Sequence, residues 1–304
     1  MNFEVTILGS GSATPTYARN PSAQVLHTED EQFLIDCGEA TQIQLARYKI
    51  KSHRINHIFI SHLHGDHYLG LMGLLSTMHL QGRTSAIHIY AAAELEEIIQ
   101  LHLKVSISTL RFEIFFHPLL FKTGQIIFEN ESIEVTEIEL NHRIPCSGFL
   151  FKEKERPRKI NKEKIELYQI PLQMIPGIKA GEDFLLPDGK CIPNAELTTE
   201  PKKIRSYAYC SDTKYDEKVL EAVKGIDLLY HESTFLHEML DRANETYHTT
   251  AWQAGEIAKK AEVKQLLIGH FSARYSDTAI LLKEAKQIFK NTLVAEEGKT
   301  FGIQ

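Results

Sequence analysis

The chain has 304 residues, of which 43% are hydrophobic, and its formal net charge at pH 7 is -6. This length and apolar content fit one α/β domain that carries an insertion. The four cysteines contain no C-x-x-C pair, which counts against a disulfide framework and against a thiolate zinc site. No apolar run approaches the roughly 18 residues of a membrane-spanning helix. We therefore expect a cytoplasmic protein with no membrane partner.

The first half of the chain alternates predicted strands with predicted helices. Apolar runs that end at glycine, proline or polar residues predict strands over residues 3–8, 32–35, 55–60, 86–90, 112–117, 125–128 and 133–140. Helical spacing of apolar residues predicts helices over residues 40–48, 69–80 and 94–102. Because several strands look like hairpin partners, we expect a mixed sheet rather than a purely parallel one.

The regular pattern fades between residues 153 and 201, where proline, glycine, lysine and glutamate become frequent. We interpret this segment as a partly extended arm that is inserted into, and protrudes from, a single domain over residues 1–304. A helix is predicted to begin near Ala251, with Thr249 or Thr250 as its N-cap. Strands are again predicted over residues 206–210, 226–230 and 266–268.

Residues 61–67, Ser-His-Leu-His-Gly-Asp-His, directly follow a predicted strand. In an extended segment, His62 and His64 form an i, i+2 pair on one side, and Asp66 and His67 follow on the turn. One short segment can therefore serve two metal ions. Imidazole and carboxylate ligands are typical of zinc sites that keep an open position for water, so the pattern favours a catalytic metal site. Chance clustering is the alternative, since the chain has 15 histidines.

Two adjacent ions need further ligands, and three candidates follow later predicted strands. His142, Asp212 and His270 each lie where an apolar run gives way to a loop, which is where sheet enzymes collect catalytic groups. A carboxylate such as that of Asp212 has two oxygens and can bridge both ions. Taken singly, each residue is more often a loop or surface residue, but their shared position favours the metal interpretation.

Glu232 and His248 lie in two further polar segments, each of which adjoins a predicted element. Glu232 can orient His248, which leaves that imidazole as a proton donor or a phosphate contact. Alternatively, Glu232 pairs with His231 for structural reasons and His248 only precedes a helix. The spacing does not decide between these two interpretations.

One basic stretch departs from the acidic net charge of the chain. Between residues 152 and 164, seven Lys and Arg residues are opposed by three Glu residues, which gives a local net charge of +4. The overall charge of -6 counts against nucleic-acid binding, because phosphate contacts need clustered cations. The stretch is therefore either a solvated surface or a local contact for phosphates.

These motifs together resemble the ribonuclease Z family, the tRNA 3'-processing endonucleases of the metallo-β-lactamase superfamily. The resemblance covers residues 8–11, 18–20, 35–39, 61–67, 209–213, 231–235, 248–250 and 269–275. The His-x-His-x-Asp-His element belongs to the whole superfamily, whereas His-Glu-x-Thr, His-x-Thr and His-Phe-Ser-x-Arg-Tyr are specific to ribonuclease Z. The resemblance implies an α/β fold, the αββα sandwich of the metallo-β-lactamases.

The resemblance also implies two zinc ions per subunit and a two-metal hydrolysis of a phosphodiester. Asp66 is then both a ligand and the proton acceptor for the attacking water, and His248, oriented by Glu232, protonates the leaving 3'-oxygen or holds the phosphate. The products are a tRNA with a 3'-hydroxyl and a released 3' trailer. The implied ligands are His62, His64 and His142 for one ion, Asp66, His67 and His270 for the other, and Asp212 as the bridge.

The inserted arm, at about residues 153–201, resembles a family exosite that grips tRNA away from the catalytic centre. Family arms carry a Gly-Pro-rich tip, whereas Leu172, Gln173 and Met174 occupy that place in this chain. The resemblance further implies a homodimer in which the arm of one subunit serves the active site of the other. The implied RNA contacts are Lys152, Lys154, Arg156, Arg158, Lys159, Lys202, Lys203 and Arg205.

Three functions are compatible with these residues. The first is a zinc-dependent endoribonuclease that removes the 3' trailer of precursor tRNA. The second is a hydrolase of the same superfamily that acts on a small phosphodiester or another ester, for which a basic arm has little use. The third is an RNA-binding protein on a degenerate fold, against which the intact ligand set counts.

Overall fold

The first of two mixed seven-stranded sheets contains the first six strands and the last strand of the chain. The structure is a computed structural model that describes residues 3–201 and 203–304. Strands β3 to β6 are parallel, and the pairs β18–β1, β1–β2 and β2–β3 are antiparallel. The spatial order is β18 (Thr300–Gly302), β1 (Glu4–Gly9), β2 (Ala23–His27), β3 (Gln32–Ile35), β4 (Ile55–Phe59), β5 (Ile87–Ala91) and β6 (Ile114–Pro118).

The second sheet is built from later strands. Strands β14 to β17 are parallel, and β14 pairs antiparallel with β9, where Ser206 lies opposite Lys152. The sequence analysis missed β2 and β9, because neither strand shows a clear alternation of apolar and polar residues. The spatial order is β17 (Thr292–Val294), β16 (Gln265–Gly269), β15 (Leu228–Glu232), β14 (Ser206–Cys210), β9 (Cys146–Glu153), β8 (Ile133–Leu140) and β7 (Ile126–Glu129).

Helices cover the outer face of each sheet. Leu45, Leu74 and Ile99 belong to the apolar core of the first sheet, and Ile257 and Leu281 belong to the core of the second. The helices of the first layer are α1 (Thr41–Arg47), α2 (Gly65–Tyr68), α3 (Leu71–Leu80) and α4 (Glu94–Val105). Those of the second are α8 (Lys218–Ala222), α9 (Leu240–Thr246), α10 (Ala251–Lys260) and α11 (Ala279–Ile288).

The two sheets face each other across a layer of aromatic side chains. The rings of Phe33 and Phe151 lie 5.5 Å apart, and those of Phe59 and Phe149 lie 5.4 Å apart. Each pair joins a strand of the first sheet to a strand of the second. Helix, sheet, sheet and helix layers therefore follow one another, which confirms the predicted αββα sandwich.

The helix predicted over residues 69–80 is α3, which begins at Leu71, and Gly70 lies close to the end of the separate short helix α2 that precedes it. A side chain at Gly70 would place its Cβ atom 1.9 Å from the carbonyl oxygen of Gly38, so only glycine allows this close approach. The contact holds α2, which carries two of the candidate ligands, against the end of β3. Thr250 caps α10 together with Gln253 in a capping box.

Residues 130–133 and 153–204 form a second compact unit. The sequence predicted a partly extended arm, but the described part of this unit has its own apolar core, which includes Ile170, Ile178 and Phe184. Its elements are too short to show a hydrophobic period. They are β10 (Lys159–Ile160), α5 (Lys162–Leu167), α6 (Ile175–Ala180), β11 (Phe184–Leu185), β12 (Cys191–Ile192), α7 (Asn194–Leu197) and β13 (Thr198–Thr199).

The described residues include no helix with both the length and the apolar character needed to cross a bilayer. All four cysteines are free thiols, and Cys37, Cys146 and Cys210 are buried.

Candidate metal centre

The histidine cluster lies at the junction between β4 and α2. The chain is still extended at His64, with φ -76° and ψ 144°, and α2 begins at the next residue. The side chains of Asp66 and His67 therefore belong to the first turn of a helix, while His62 and His64 belong to the extended segment that follows β4. This strand-to-helix junction allows neighbouring residues to point at two separate places.

The first ligand group consists of His62, His64, His142 and Asp212, whose ligand atoms all lie within 4.8 Å of one another. His64 Nδ1 is 2.9 Å from His62 Nε2 and 3.1 Å from His142 Nε2. Asp212 Oδ2 is 3.7 Å from His62 Nε2 and 3.8 Å from His142 Nε2. In a tetrahedral zinc site, ligand atoms at bonds of about 2.0–2.1 Å are about 3.3 Å apart. The spacing therefore suits a single ion.

The second ligand group consists of Asp66, His67 and His270. Asp66 Oδ2 is 3.4 Å from His67 Nε2 and 3.5 Å from His270 Nε2. Asp212 reaches this group with its other oxygen, because its Oδ1 is 3.2 Å from His67 Nε2 and 3.0 Å from His270 Nε2. The two oxygens of Asp212 thus face different groups, as a bridging carboxylate requires.

The donor set of both groups suits a divalent metal ion. Among the described residues, His67 Nε2 and His270 Nε2 are buried nitrogens without a hydrogen-bond partner, and both point at carboxylate oxygens of the second group. A buried polar atom without a partner is costly unless an ion or water satisfies it. The donors are imidazole nitrogens and carboxylate oxygens, with no thiolate, so they fit a metal site that keeps an open position.

Asp36, at the end of β3, is the buried acceptor behind the second group. One of its oxygens accepts hydrogen bonds from His67 Nδ1 at 2.6 Å, from the Tyr209 hydroxyl at 2.6 Å and from Ser61 Oγ at 2.9 Å. A carboxylate on the remote nitrogen of a metal-binding histidine fixes its tautomer and raises its basicity. Tyr209 belongs to the second sheet, so this contact also joins the two sheets.

The remote nitrogens of three other ligand histidines are held as well. His62 Nδ1 is 3.0 Å from Ser61 Oγ, and His270 Nδ1 is 3.0 Å from Thr234 Oγ1. His142 Nδ1 donates to the backbone carbonyl of Tyr247 at 3.0 Å. In each case Nε2 remains the nitrogen available to a metal ion.

The electrostatics of the second group are dominated by carboxylates around His67. Burial lowers the pKa of His67, but Asp212, Asp66 and Asp36 outweigh burial and raise the pKa well above its usual range. Burial raises the pKa of Asp66, but His67 and His270 outweigh burial and lower it. Three carboxylates at one buried point favour a cation there.

Glu232 and His248 form a hydrogen-bonded pair, as the interpretation in which Glu232 orients His248 requires. His248 Nδ1 is 2.9 Å from Glu232 Oε1, and the same carboxylate accepts from Thr213 N–H at 2.7 Å and from Thr234 Oγ1 at 2.6 Å. His231 instead contacts the backbone carbonyl of Glu232 at 2.8 Å, so the carboxylate does not serve it. Burial lowers the pKa of His248, but Glu232 outweighs burial and raises the pKa to about 9.

An open cavity of about 500 Å³ lies beside His248. Its walls include Thr234 and Phe235 and two exposed cations, Arg143 and Arg274. The Arg274 guanidinium lies 5.8 Å from the centre of the Phe235 ring. The cavity can therefore receive an anionic group next to the two ligand groups.

The residues predicted to contact RNA differ in their surroundings. The Arg158 guanidinium is bonded to Thr198 Oγ1 at 2.7 Å and to Glu200 Oε1 at 2.8 Å within the second unit. The Arg205 guanidinium lies 5.1 Å from the centre of the Phe3 ring. Lys152 and Lys159 are exposed, and Lys202 lies outside the described residues. Lys154, Arg156 and Lys203 have partners of their own.

The sequence analysis assigned no role to Asp36, Ser61, Thr234 or Tyr247, although each holds the remote nitrogen of a candidate ligand. Asp36 had a usable signal, because it is a polar residue at the end of a predicted strand, like His142 and Asp212. Tyr247 had none, because its backbone rather than its side chain makes the contact.

The sandwich, with His and Asp ligand groups beyond its strand ends, defines the class as a metallohydrolase of the metallo-β-lactamase fold. The metallo-β-lactamase fold protein YhfI of Bacillus subtilis shares this fold, with 19% identity over 99% of both chains and a TM-score of 0.69. Residues 3–156, which include the histidine cluster, match the family model described as Anti-Pycsar protein Apyc1.

Full-length relatives identify the family. Ribonuclease Z of Bacteroides thetaiotaomicron is 50% identical over 301 residues, which are 99% of this chain and 95% of the relative. The crystal structure of human tRNase Z, short form, is 28% identical, covers 99% of both chains and has a TM-score of 0.72. The chain belongs to the ribonuclease Z family. It is a hydrolytic endoribonuclease that acts on phosphodiester bonds, so the non-catalytic alternative is dropped.

Proposed function

We propose that this protein removes the 3' trailer of precursor tRNA and leaves a tRNA with a 3'-hydroxyl. The observation that carries the proposal is the position of the Glu232–His248 pair directly beside two groups of metal-type ligands, in a chain of the ribonuclease Z family. Human tRNase Z, to which nearly the whole chain is similar, is named for tRNA.

We propose two zinc ions as the cofactor. The first ion is assigned to His62, His64 and His142, the second to Asp66, His67 and His270, with Asp212 between them. The separate orientation of the two Asp212 oxygens supports this division. When bound, zinc lowers the pKa of water towards neutrality and stabilises charge on phosphoryl oxygens.

Asp66 has two roles in the proposed reaction, as a ligand and as the acceptor of the proton of the attacking water. Its Oδ2 accepts a hydrogen bond from the backbone N–H of Ala13 at 2.6 Å, which fixes the orientation of the carboxylate. A fixed carboxylate at the reacting centre lowers the entropic cost of proton transfer.

His248 is the proposed proton donor to the leaving 3'-oxygen. The contact with Glu232 engages Nδ1 and leaves Nε2 for the substrate. Glu232 is fully buried and is itself held by Thr213 and Thr234, so the imidazole has one preferred orientation. General acid catalysis of this kind is worth about 10²–10⁴-fold in rate.

The RNA strand is proposed to lie in the cavity beside His248, where Arg143 and Arg274 supply positive charge next to the ligand groups. The second compact unit is the proposed tRNA-binding arm, and its exposed Lys159 supports phosphate contacts there. We also predict a homodimer and a cytoplasmic location, both of which go with the proposed tRNA substrate. Light scattering of the purified protein checks the dimer.

A small phosphodiester or another ester is the second candidate substrate, because the two ligand groups and the open cavity beside His248 do not by themselves require an RNA. Replacing residues 155–203 with Asn-Gly distinguishes the two candidates. The replacement preserves the sheet, because β9 and β14 are antiparallel neighbours that a two-residue turn can connect.

The tRNA function predicts that this replacement lowers cleavage of precursor tRNA at least about 100-fold, because phosphate contacts dominate affinity for nucleic acid. Hydrolysis of bis(p-nitrophenyl) phosphate should stay within about threefold, because the ligand groups are intact. Unchanged cleavage of precursor tRNA would contradict the proposed role of the arm. Turnover of small phosphodiesters with no cleavage of precursor tRNA by the native protein would favour the second candidate.

A further inference from the structure

Four ligand histidines have a remote nitrogen in a hydrogen bond, but the four partners differ in kind. The partners of His62, His67 and His270 are side chains that are buried in the sandwich. The partner of His142 is instead the backbone carbonyl of Tyr247, on a half-buried loop between α9 and α10. The orientation of His142 therefore depends on the conformation of this loop.

Tyr247 has an unusual backbone conformation, with φ 61° and ψ 47°. It ends α9, and the N–H of the next residue, His248, donates to the carbonyl of Ala243 at 2.8 Å. Helices commonly end with one residue in this left-handed region, but glycine is the usual choice because it has no Cβ atom. A tyrosine is strained in this conformation, so it persists only where the surroundings hold it.

Lys214 supplies such a constraint. Its ammonium nitrogen lies 4.1 Å from the centre of the Tyr247 ring, which is a cation–π contact. The backbone N–H of Lys214 donates to the carbonyl of Asn141 at 2.9 Å, directly beside His142. Lys214 thus contacts the segment that carries the ligand and the residue that orients it.

A second contact holds the same two segments together. Thr249 Oγ1 donates to the carbonyl of Thr213, the residue between the bridging Asp212 and Lys214. Both threonines are completely buried. The loop that contains Tyr247 is therefore fastened on both sides of His248, once by Lys214 and once by Thr213.

We propose that Tyr247, held by Lys214, is a positioning residue for the ligand His142. The Tyr247 carbonyl fixes the proton on Nδ1 of His142 and directs Nε2 at the first ligand group. The aromatic ring keeps the carbonyl in place through its contact with Lys214. This inference rests on the proposed function, because it takes His142 to be a metal ligand. It predicts that Tyr247 controls the affinity for one ion and not for the other.

Titration of the metal-free protein with Zn²⁺ against a fluorescent chelator tests the inference without RNA. Tyr247→Ala retains the backbone carbonyl but removes the ring that holds it in place. The affinity for one of the two ions is therefore expected to fall about three- to tenfold, less than the roughly 10- to 100-fold effect of removing an outer partner altogether. The other ion should stay within about twofold. Tyr247→Phe retains the ring, so both affinities should equal those of the native protein. Equal weakening of both ions by Tyr247→Ala would overturn the inference.

A double-mutant cycle identifies the ion that is affected. His142→Ala removes a ligand of the first group, so Tyr247→Ala should have no further effect on Zn²⁺ affinity in that background. Additive losses would mean that Tyr247 acts elsewhere and would overturn the inference. The thermal unfolding midpoint of each metal-free variant separates this effect from general destabilisation.

Lys214 is tested by Lys214→Met and Lys214→Arg. Removing the charge should weaken the same ion about three- to tenfold, whereas arginine, which also stacks on aromatic rings, should restore it. Lys260→Met is the matched control, because Lys260 lies 5.5 Å from the ring centre of Tyr215 on another surface. If the native protein binds no Zn²⁺, the proposed function fails. If it binds two ions and Lys214→Met changes neither, only the present inference fails.

Discussion

The two ligand groups share Asp212 but are held in different ways. In the second group, Asp66, His67 and His270 are buried, and the remote nitrogens of the two histidines contact Asp36 and Thr234, which are also buried. In the first group, His64 is only partly buried, and His142, whose side chain is buried, is held by a strained loop.

This difference predicts that the two ligand groups differ in how tightly they bind an ion and in how readily they exchange it. A ligand fixed by buried side chains needs little reorganisation when an ion binds, so the second group should bind its ion more tightly. A ligand fixed by a half-buried loop can adjust more than one fixed by buried side chains, so the first group should exchange its ion and admit substrate more readily. The substitutions below test whether the two ligand groups respond differently or alike.

Removing Asp66 should have the largest effect, because Asp66 is both a ligand of the buried group and the proposed proton acceptor. Asp66→Ala is expected to lower cleavage of precursor tRNA by at least about 10³-fold. Asp241→Ala, on the exposed surface of α9, is the control. The measurement is the single-turnover cleavage rate at saturating zinc. Turnover within about tenfold of the native rate would exclude Asp66 from the mechanism.

Removing the proposed proton donor should leave both ligand groups intact. His248→Ala is expected to lower cleavage about 10²-fold, and Glu232→Gln should lower it less, because the imidazole is retained but loses its charged partner. Metal content, measured by mass spectrometry, should equal that of the native protein for both variants. A loss of bound metal in His248→Ala would instead place His248 among the ligands.

Asp36→Asn should affect the second group more than the first, because Asp36 contacts His67 directly but reaches His62 of the first group only through Ser61 Oγ. The amide cannot accept the hydrogen bond of His67 as a carboxylate does, so the affinity for the second ion should fall about 10- to 100-fold. Zinc titration should therefore show the opposite pattern to Tyr247→Ala, which acts on the first ion. If both substitutions weaken the same ion, the two groups are not held independently.

One acid-sensitive part of the fold is a row of histidines between the two sheets, none of which is a candidate metal ligand. His57 stacks on His88 at 5.0 Å, and His88 stacks on His117 at 5.2 Å. Phe128 and Tyr90 complete the surroundings of His57. Burial is the main cause that lowers the pKa of His57 to about 4, and the charges of His88 and His117 contribute in the same direction.

Because the folded-state pKa of His57 lies below its unfolded value of about 6.5, stability is complete above pH 6.5 and falls as the pH drops towards 4. The expected loss is about 2 kcal/mol. His57→Phe should reduce the pH dependence of stability by about this amount, and His102→Phe, on α4, should not, while the other buried histidines keep their own contribution. Urea unfolding at pH 7.5 and 4.5 with a chelator present measures the effect. An unchanged slope in His57→Phe would place the acid-sensitive group elsewhere.

The candidate ligands could be brought together from the sequence, because four of them lie within residues 62–67 and the other three follow recognisable strands, and the structure places them in two groups. Their partners could not, because those contacts join distant residues. Asp36 and His67 are 31 positions apart, and His142 and Tyr247 are 105 apart. Only the folded sheets bring these residues together.

The mixed α/β architecture followed from the order of predicted strands and helices, and the αββα sandwich followed from the family resemblance, whereas the compactness of the second unit followed from neither. Strands such as β4 and β16 are buried and apolar throughout their length, which makes them visible as apolar runs. The helices of the second unit have at most six residues, too few for a hydrophobic period to appear. The apolar residues of its core are therefore scattered among polar residues in the sequence and do not form a recognisable pattern.

Cleavage of labelled precursor tRNA, with the new ends mapped at nucleotide resolution and metal content determined on the same sample, tests the proposed function most directly. We predict one cut just after the discriminator base, a 3'-hydroxyl on the tRNA product and two zinc ions per chain. Failure to cut any precursor tRNA while both ions are bound would contradict the proposal.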